Sequence, residues 1–146
     1  MIQVVFPRLE ELSIGSMFKI ESIWTSTPPT NSFNKLTSLN LYYFDRLVYV
    51  APLELLGSLQ NLQSIRITNC EFLEEVFKTR RSNVGEGIVL RDEATSKQVE
   101  IAHVLPQLER VFLKNLPRLI SFCSGHKLAP SVQLSIEKCP SLRPPM

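Results

Sequence analysis

The 146-residue sequence has only three cysteines, and its charges nearly cancel to a net +2. A small, odd number of cysteines argues against a disulfide framework and favours a reducing compartment. The low net charge gives no electrostatic basis for a nucleic-acid partner. No apolar run approaches the roughly 18 residues that span a bilayer, and no asparagine begins an N-x-Ser/Thr acceptor. We therefore expect a cytoplasmic protein with no membrane span.

Motifs for catalysis or cofactors are also scarce. Two histidines and three scattered cysteines form no recognised metal-ligand spacing. No G-x-x-x-x-G-K-[ST] loop is present, so nothing here can cradle nucleotide phosphates. One short stretch, Cys123 to His126 (CSGH), contains a cysteine and a histidine that a nucleophilic enzyme could use. A loop between two repeats is the favoured interpretation, and we expect neither catalysis nor a cofactor.

What the sequence does contain is a repeated, uneven spacing of apolar residues. Between positions 105 and 122 these residues are separated by steps of 3, 3, 2, 3, 3 and 3. The same spacing occurs in four segments: Phe6, Leu9, Leu12, Ile14, Met17, Ile20 and Ile23; Phe33, Leu36, Leu39, Leu41, Phe44, Leu47 and Val50; Leu59, Leu62, Ile65, Ile67, Cys70, Leu73 and Val76; Leu105, Leu108, Val111, Leu113, Leu116, Leu119 and Phe122. A fifth, imperfect copy keeps Leu128, Leu134, Ile136, Cys139 and Leu142 but has polar Ser131 at an apolar position.

This template is neither a helix, with a period of 3.6, nor a simple strand, with a period of 2. The step of two predicts a short strand, and the steps of three predict turns before and after it. Such a pattern with a period in the twenties is the leucine-rich-repeat signature. We predict an α/β-type leucine-rich-repeat solenoid with a short, curved parallel sheet on its concave face and an irregular or short helical convex side. Its five strands are predicted at residues 11–15, 38–42, 64–68, 110–114 and 133–137.

The copies begin 27, 26, 46 and 23 residues apart, so one interval is too long. Residues 78–103, within that interval, are polar, contain glycine and carry mixed charge. A surface insertion is the favoured interpretation, and a degenerate sixth repeat with Ile88 and Leu90 as its strand pair is the alternative. We expect residues 1–146 to form a single domain of about five repeats, belonging to a larger protein because the concave face is only roughly 20 Å long.

Two of the three cysteines occupy one template position. Cys70 and Cys139 follow the strand, where such repeats often carry Asn or Cys. A small side chain there can turn inward and meet backbone groups. A structural role is therefore favoured over a redox role, since neither residue has another cysteine nearby in sequence.

Several phrases resemble one family. FPRLEELSI, LQNLQSIRITNCEFLEEVF, LPQLERVFLKNLPRLISFCSG and LSIEKCPSLRPP look like the C-terminal leucine-rich repeats of plant coiled-coil nucleotide-binding disease resistance proteins. The resemblance covers nearly the whole chain. It implies a repeat fragment of an intracellular immune receptor. In that family the repeats recognise pathogen-derived or modified host proteins and hold the nucleotide-binding domain in its inactive state.

Residues that flank the inward pair of each strand are expected to face outward on the concave side. Aromatic and arginine side chains dominate interface energetics, so the candidate protein-binding residues are Tyr42, Arg66, Arg110, Phe112 and Lys114. The expected partners are a pathogen effector, a modified host protein or the nucleotide-binding domain of the parent receptor. An ordinary sheet surface is the competing interpretation. For the function, the alternative is the substrate-binding repeats of a ubiquitin-ligase adaptor.

Overall fold

A computed structural model describes residues 8–23, 33–78, 99–100, 105–123 and 126–142. Its main feature is a five-stranded parallel sheet in which each strand comes from one copy of the template. The strands are β1 (Glu11–Met17), β2 (Ser38–Phe44), β4 (Ser64–Thr68), β7 (Arg110–Lys114) and β10 (Gln133–Glu137), and they lie side by side in that order. We call each copy of the template a coil.

The predicted parallel solenoid is confirmed. The bounds of β4, β7 and β10 match the prediction, and β1 and β2 each extend two residues further. Equivalent template positions pair across every interface, as in Leu41 with Ile67 and Ile67 with Leu113. The step of two therefore sets one register for the whole sheet.

Some of the steps of three are hydrogen-bonded turns, one before the strand and one after it. The N–H of Leu62 donates to the carbonyl of Leu59 at 3.1 Å, and the N–H of Leu108 donates to that of Leu105 at 3.2 Å. After the strand, the N–H of Leu119 donates to the carbonyl of Leu116 at 3.2 Å. These i to i+3 bonds turn the chain and keep both end residues inward. At these steps the spacing of three in the sequence is the reach of one turn.

Burial of the template positions depends on the number of neighbouring coils. All seven positions are buried in each of the second, third and fourth coils. In the first coil the described positions are only partly buried, and Ile20 is 37% exposed. In the fifth coil, Ile136 is 40% exposed. A coil therefore buries its apolar side fully only when another coil packs on each side of it, as in other solenoids.

The fifth coil differs from the template around Ser131. Ser131 is exposed, and its turn is shifted by one residue, so that the N–H of Val132 donates to the carbonyl of Ala129 at 3.0 Å. Val132 packs against the core. The shift replaces the missing apolar residue with the next one along the chain.

A second, three-stranded parallel sheet follows the first in each central coil. It consists of β3 (Tyr49–Pro52), β5 (Glu75–Lys78) and β8 (Ser121–Cys123), in that order. The rings of Phe77 and Phe122 pack edge to face beneath it, with centroids 5.4 Å apart. The sequence predicts a convex side that is irregular or short helical. The helical alternative is not confirmed, because in the described ranges the regular helix is a single 3-10 segment, Leu53–Ser58.

The long interval between the third and fourth coils lies mostly outside the described residues. This holds for 79–98 and 101–104, including Ile88 and Leu90 of the alternative sixth repeat. Within it, β6 (Val99–Glu100) pairs with β9 (His126–Lys127). Because β4 pairs directly with β7, the third and fourth coils are neighbours in the main sheet.

One backbone conformation recurs near the carboxyl end of every strand. The residue two positions after the inward pair has a positive φ in all five coils: Ser16 (58°), Tyr43 (57°), Asn69 (55°), Asn115 (58°) and Lys138 (55°). We call this row the rim. The left-handed region costs a residue with a Cβ roughly 1–2 kcal/mol, and least for asparagine. The amide of Asn115 donates to the Oδ1 atom of Asn69 at 2.6 Å, which ties two rim residues together.

The register predicts opposite effects for two adjacent substitutions. Leu113 is fully buried, so Leu113→Asp should unfold the chain, because a buried unpaired carboxylate costs several kcal/mol, or about the stability of a small domain. Lys114 is exposed, so Lys114→Asp should retain the fold. Circular dichroism of both variants tests this. Equal loss of structure would contradict the register.

The rim generates a second stability prediction. Asn115→Val should destabilise the fold by about 1–3 kcal/mol. A β-branched residue is strained at positive φ, and valine cannot form the side-chain hydrogen bond that Asn115 makes with Asn69. Asn115→Gly is the matched control, since it loses the same bond without backbone strain. Urea unfolding midpoints measure the difference. Equal midpoints for the valine and glycine variants would show that the conformation carries no such cost.

Candidate functional site

An aromatic ring and a guanidinium group stack at the centre of the concave sheet. Arg66 of β4 pairs in register with Phe112 of β7, and the guanidinium carbon lies 4.2 Å from the ring centroid. Across the sheet, the same row continues with Asn40 of β2 and Ser13 of β1. The amide of Asn40 donates to the hydroxyl of Ser13 at 3.1 Å. Stacking holds the guanidinium plane in place and leaves its edge N–H groups available for an acceptor.

Two further predicted residues flank Phe112 on its own strand. Arg110 and Lys114 lie two residues on either side of it and are both exposed. Each has an acidic neighbour: Arg110 lies 3.4 Å from a carboxylate oxygen of Glu109, and Lys114 lies 3.7 Å from one of Glu137. Such exposed pairs are weak, typically within about 1 kcal/mol, so an incoming acidic group can compete for both cations.

Tyr42 does not join this cluster. It is on β2, in register with Gly15 of β1 on one side and Thr68 of β4 on the other. Its ring covers the Cα of Gly15, where any Cβ would collide with it. The ring therefore packs toward the first strand and away from Arg66. The structure brings together four of the five predicted residues and separates Tyr42.

A further aromatic residue, Tyr43, lies near the cluster and was not among the residues predicted from the sequence. It is 52% exposed on the rim, and its ring packs edge to face on Tyr42 with centroids 6.2 Å apart. It lines a depression of about 450 Å³ together with Arg66, Thr68, Asn69, Phe112, Lys114, Asn115 and Lys138. A signal was available in the sequence, because the equivalent position holds asparagine in the next two coils.

The stacked pair also lines a neighbouring depression on the concave face. This one has a volume of about 330 Å³, and its walls include Asn40, Ser64, Arg110 and Ser135. Arg66 and Phe112 belong to both depressions. The pair therefore lies between two hollows, and a ligand that crosses the sheet would contact it from either side.

A larger depression, of about 780 Å³, is lined by residues of the second sheet and the segments leading to it. Its lining combines Val48, Tyr49 and Phe72 with the carboxylates of Glu21, Glu74 and Glu75 and the cations of Arg46 and Lys78. Lys78 lies 4.9 Å from the Tyr49 ring, and Arg118 lies 4.5 Å from the Phe72 ring. Because this depression contains both acidic and basic side chains, it indicates the charge of a partner less clearly than the concave cluster does.

The cysteines are placed as structural residues. The thiol of Cys70 is buried and donates to the carbonyl of Thr68 at 3.4 Å, and that of Cys139 donates to the carbonyl of Glu137 at 3.3 Å. Burial raises the pKa of the Cys70 thiol to about 11 and, together with the charge of Glu75, that of Cys123 to about 12. A nucleophile needs the opposite shift. The Ser124–Gly125 pair and the His126 side chain lie outside the description.

The described ranges contain neither a cluster of candidate metal ligands nor a helix able to span a membrane. No group of three or more histidine, cysteine or acidic side chains there is arranged to hold a metal ion. Within the same ranges, no helix is long and apolar enough to cross a membrane.

Parallel coils with an inward pair on every strand define a leucine-rich-repeat module. The profile of the family described as plant disease resistance protein RPS2-like, leucine-rich repeats, matches residues 8–144, and the chain belongs to this family. It is 31% identical over 148 aligned positions to the probable disease resistance protein At4g27220 of Arabidopsis thaliana. That alignment covers 95% of this chain and 14% of the relative. No solved structure matches the chain.

Thiol reactivity tests the placement of the cysteines. At pH 8 the raised pKa values leave at most about one Cys70 or Cys123 thiol in a thousand as thiolate. Both should resist iodoacetamide in the folded chain and react once urea unfolds it, while Cys139, which is only partly buried, reacts first. Mass spectrometry of alkylated peptides measures the order. Rapid native alkylation of Cys123 would contradict its burial and restore the case for a nucleophile.

Proposed function

We propose that this chain is a protein-interaction module of a plant intracellular immune receptor and that it binds its partner through the concave sheet. The observation that carries the proposal is the stacked pair of Arg66 and Phe112 at the centre of that sheet. Membership of the disease resistance family favours this function over that of a ubiquitin-ligase adaptor. The module acts in the cytoplasm and without catalysis.

The composition of the cluster suits an interface. Arginine and aromatic residues are enriched among the side chains that contribute most to binding, above all where neighbouring contacts exclude water. Phe112 is half-buried, and Arg66 covers its ring, so the pair is already ordered before a partner arrives. Ordering in advance reduces the entropy lost on binding.

The charges indicate the kind of partner. Arg66, Arg110 and Lys114 place three cations around one ring, against the two flanking carboxylates of Glu109 and Glu137. An acidic protein surface would be steered toward this cluster and would form hydrogen bonds to the guanidinium groups. Such a surface belongs either to a pathogen effector or modified host protein, or to the nucleotide-binding domain that the module holds inactive.

Co-expression with a nucleotide-binding domain from a disease resistance protein of the same plant tests the proposal. The parent chain should retain that domain in a pull-down. Arg66→Glu/Arg110→Glu and Phe112→Ala should each reduce binding about tenfold or more, because they remove a charge-complementary contact or the central ring. A candidate effector is tested in the same assay.

Lys35→Glu is the charge-reversal control outside the concave sheet. Lys35 is exposed in the turn before β2, away from the concave row. Circular dichroism must show that every variant is folded. If folded concave variants bind like the parent while Lys35→Glu loses binding, the interface lies elsewhere.

A further inference from the structure

The rim contains an exposed aromatic residue where the fold favours asparagine. Asn69 and Asn115 occupy this left-handed position in the third and fourth coils and bond to each other. The second coil has Tyr43 there, with a φ of 57° and about half of its surface exposed. Tyrosine gains nothing from the left-handed conformation, whereas asparagine tolerates it and could extend the amide ladder.

Packing accounts for only part of the Tyr43 side chain, because 52% of its surface is exposed. Its ring packs edge to face on Tyr42, whose own ring lies against Gly15. Side chains that are strained and exposed together are a feature of binding sites, where the cost is kept because the group contacts a ligand. Tyr43 lies beside the concave cluster, so a ligand bound to that cluster can also contact Tyr43.

The chemistry around Tyr43 favours a negatively charged group. The depression it lines also contains the cationic groups of Arg66, Lys114 and Lys138 and the side-chain amides of Asn69 and Asn115. Lys138 is exposed and belongs to the rim itself. Glu137 is the acidic neighbour of Lys114. Cations and amide donors around one aromatic wall match a carboxylate carried on a short apolar stem.

We infer that the rim from Tyr43 to Lys138 is a subsite for an acidic side chain of the protein partner. Tyr43 packs on the apolar part of that side chain, while Lys138 and Arg66 bind its carboxylate. This inference rests on the proposed function, because it extends the same concave interface to the carboxyl ends of the strands. It makes Tyr43 a residue kept for binding at a cost to stability.

The experiment uses a random peptide library displayed on phage and selected on the parent chain. One enriched peptide is then synthesised in two forms, one as selected and one with its Asp and Glu residues changed to Asn and Gln. Dissociation constants come from fluorescence anisotropy, and midpoints from thermal unfolding. The chains compared are the parent, Tyr43→Asn, Tyr43→Gly, Lys138→Gln and Arg66→Glu, with Phe72→Ala as an aromatic control outside the rim.

Selected peptides should be rich in Asp or Glu. Tyr43→Asn should weaken binding of the selected peptide about tenfold and raise the unfolding midpoint, and Tyr43→Gly should weaken binding equally. Lys138→Gln should weaken binding of the acidic form and leave that of the amide form unchanged. Phe72→Ala should leave the affinity as it is in the parent.

Four results would overturn the inference, and only the last of them would overturn the proposed function as well. Peptides without acidic residues, or no enriched peptide at all, would remove the carboxylate subsite. If Tyr43→Asn lowers the midpoint and leaves the affinity unchanged, Tyr43 is a structural residue. If Arg66→Glu weakens binding while Tyr43→Asn and Lys138→Gln do not, the rim plays no part and the concave interface stands. If no concave or rim variant changes the affinity, both proposals fail.

Discussion

The whole structure depends on the inability of one coil to bury its own apolar side. Leu41, Ile67 and Leu113 are fully buried because each lies between equivalent residues of two neighbouring coils. At the outer strands the same positions have a neighbour on one side only, and Ile136 remains 40% exposed. Every coil must therefore keep the same register, because a shift of one residue would turn the apolar pair outward. That constraint also fixes which side chains face outward on the concave sheet.

The constant register explains how the proposed binding surface is assembled. Outward residues at one template position form a straight row across the sheet, so Arg66 and Phe112 meet although 46 residues separate them. The row places single side chains from different coils next to one another without any loop to position them. Changes at outward positions leave the inward pair untouched, so the surface can vary while the core stays the same.

On the rim, the backbone conformation limits which side chains are tolerated. Here the fold imposes a positive φ in every coil, and the side chain must tolerate it. Asparagine at 69 and 115 meets this requirement and adds a hydrogen bond between coils. Tyr43 adopts the same positive φ, but among the described residues it has no side-chain hydrogen bond to a neighbouring rim residue like the one between Asn69 and Asn115. If Tyr43 has the role proposed above, stability and recognition make different demands on one template position, and the coils meet them with different residues.

The spacing of apolar residues by itself determined the coils, their strands and their inward faces. The same order of steps recurs in each coil and turns the equivalent residues inward. It also placed Arg66, Arg110, Phe112 and Lys114 on one face. Only the tertiary structure decided that Arg66 stacks on Phe112, that Tyr42 turns toward Gly15 and that Val132 packs against the core in place of Ser131. Those outcomes, and the left-handed rim at Tyr43, depend on contacts between coils, which the spacing within one coil does not contain.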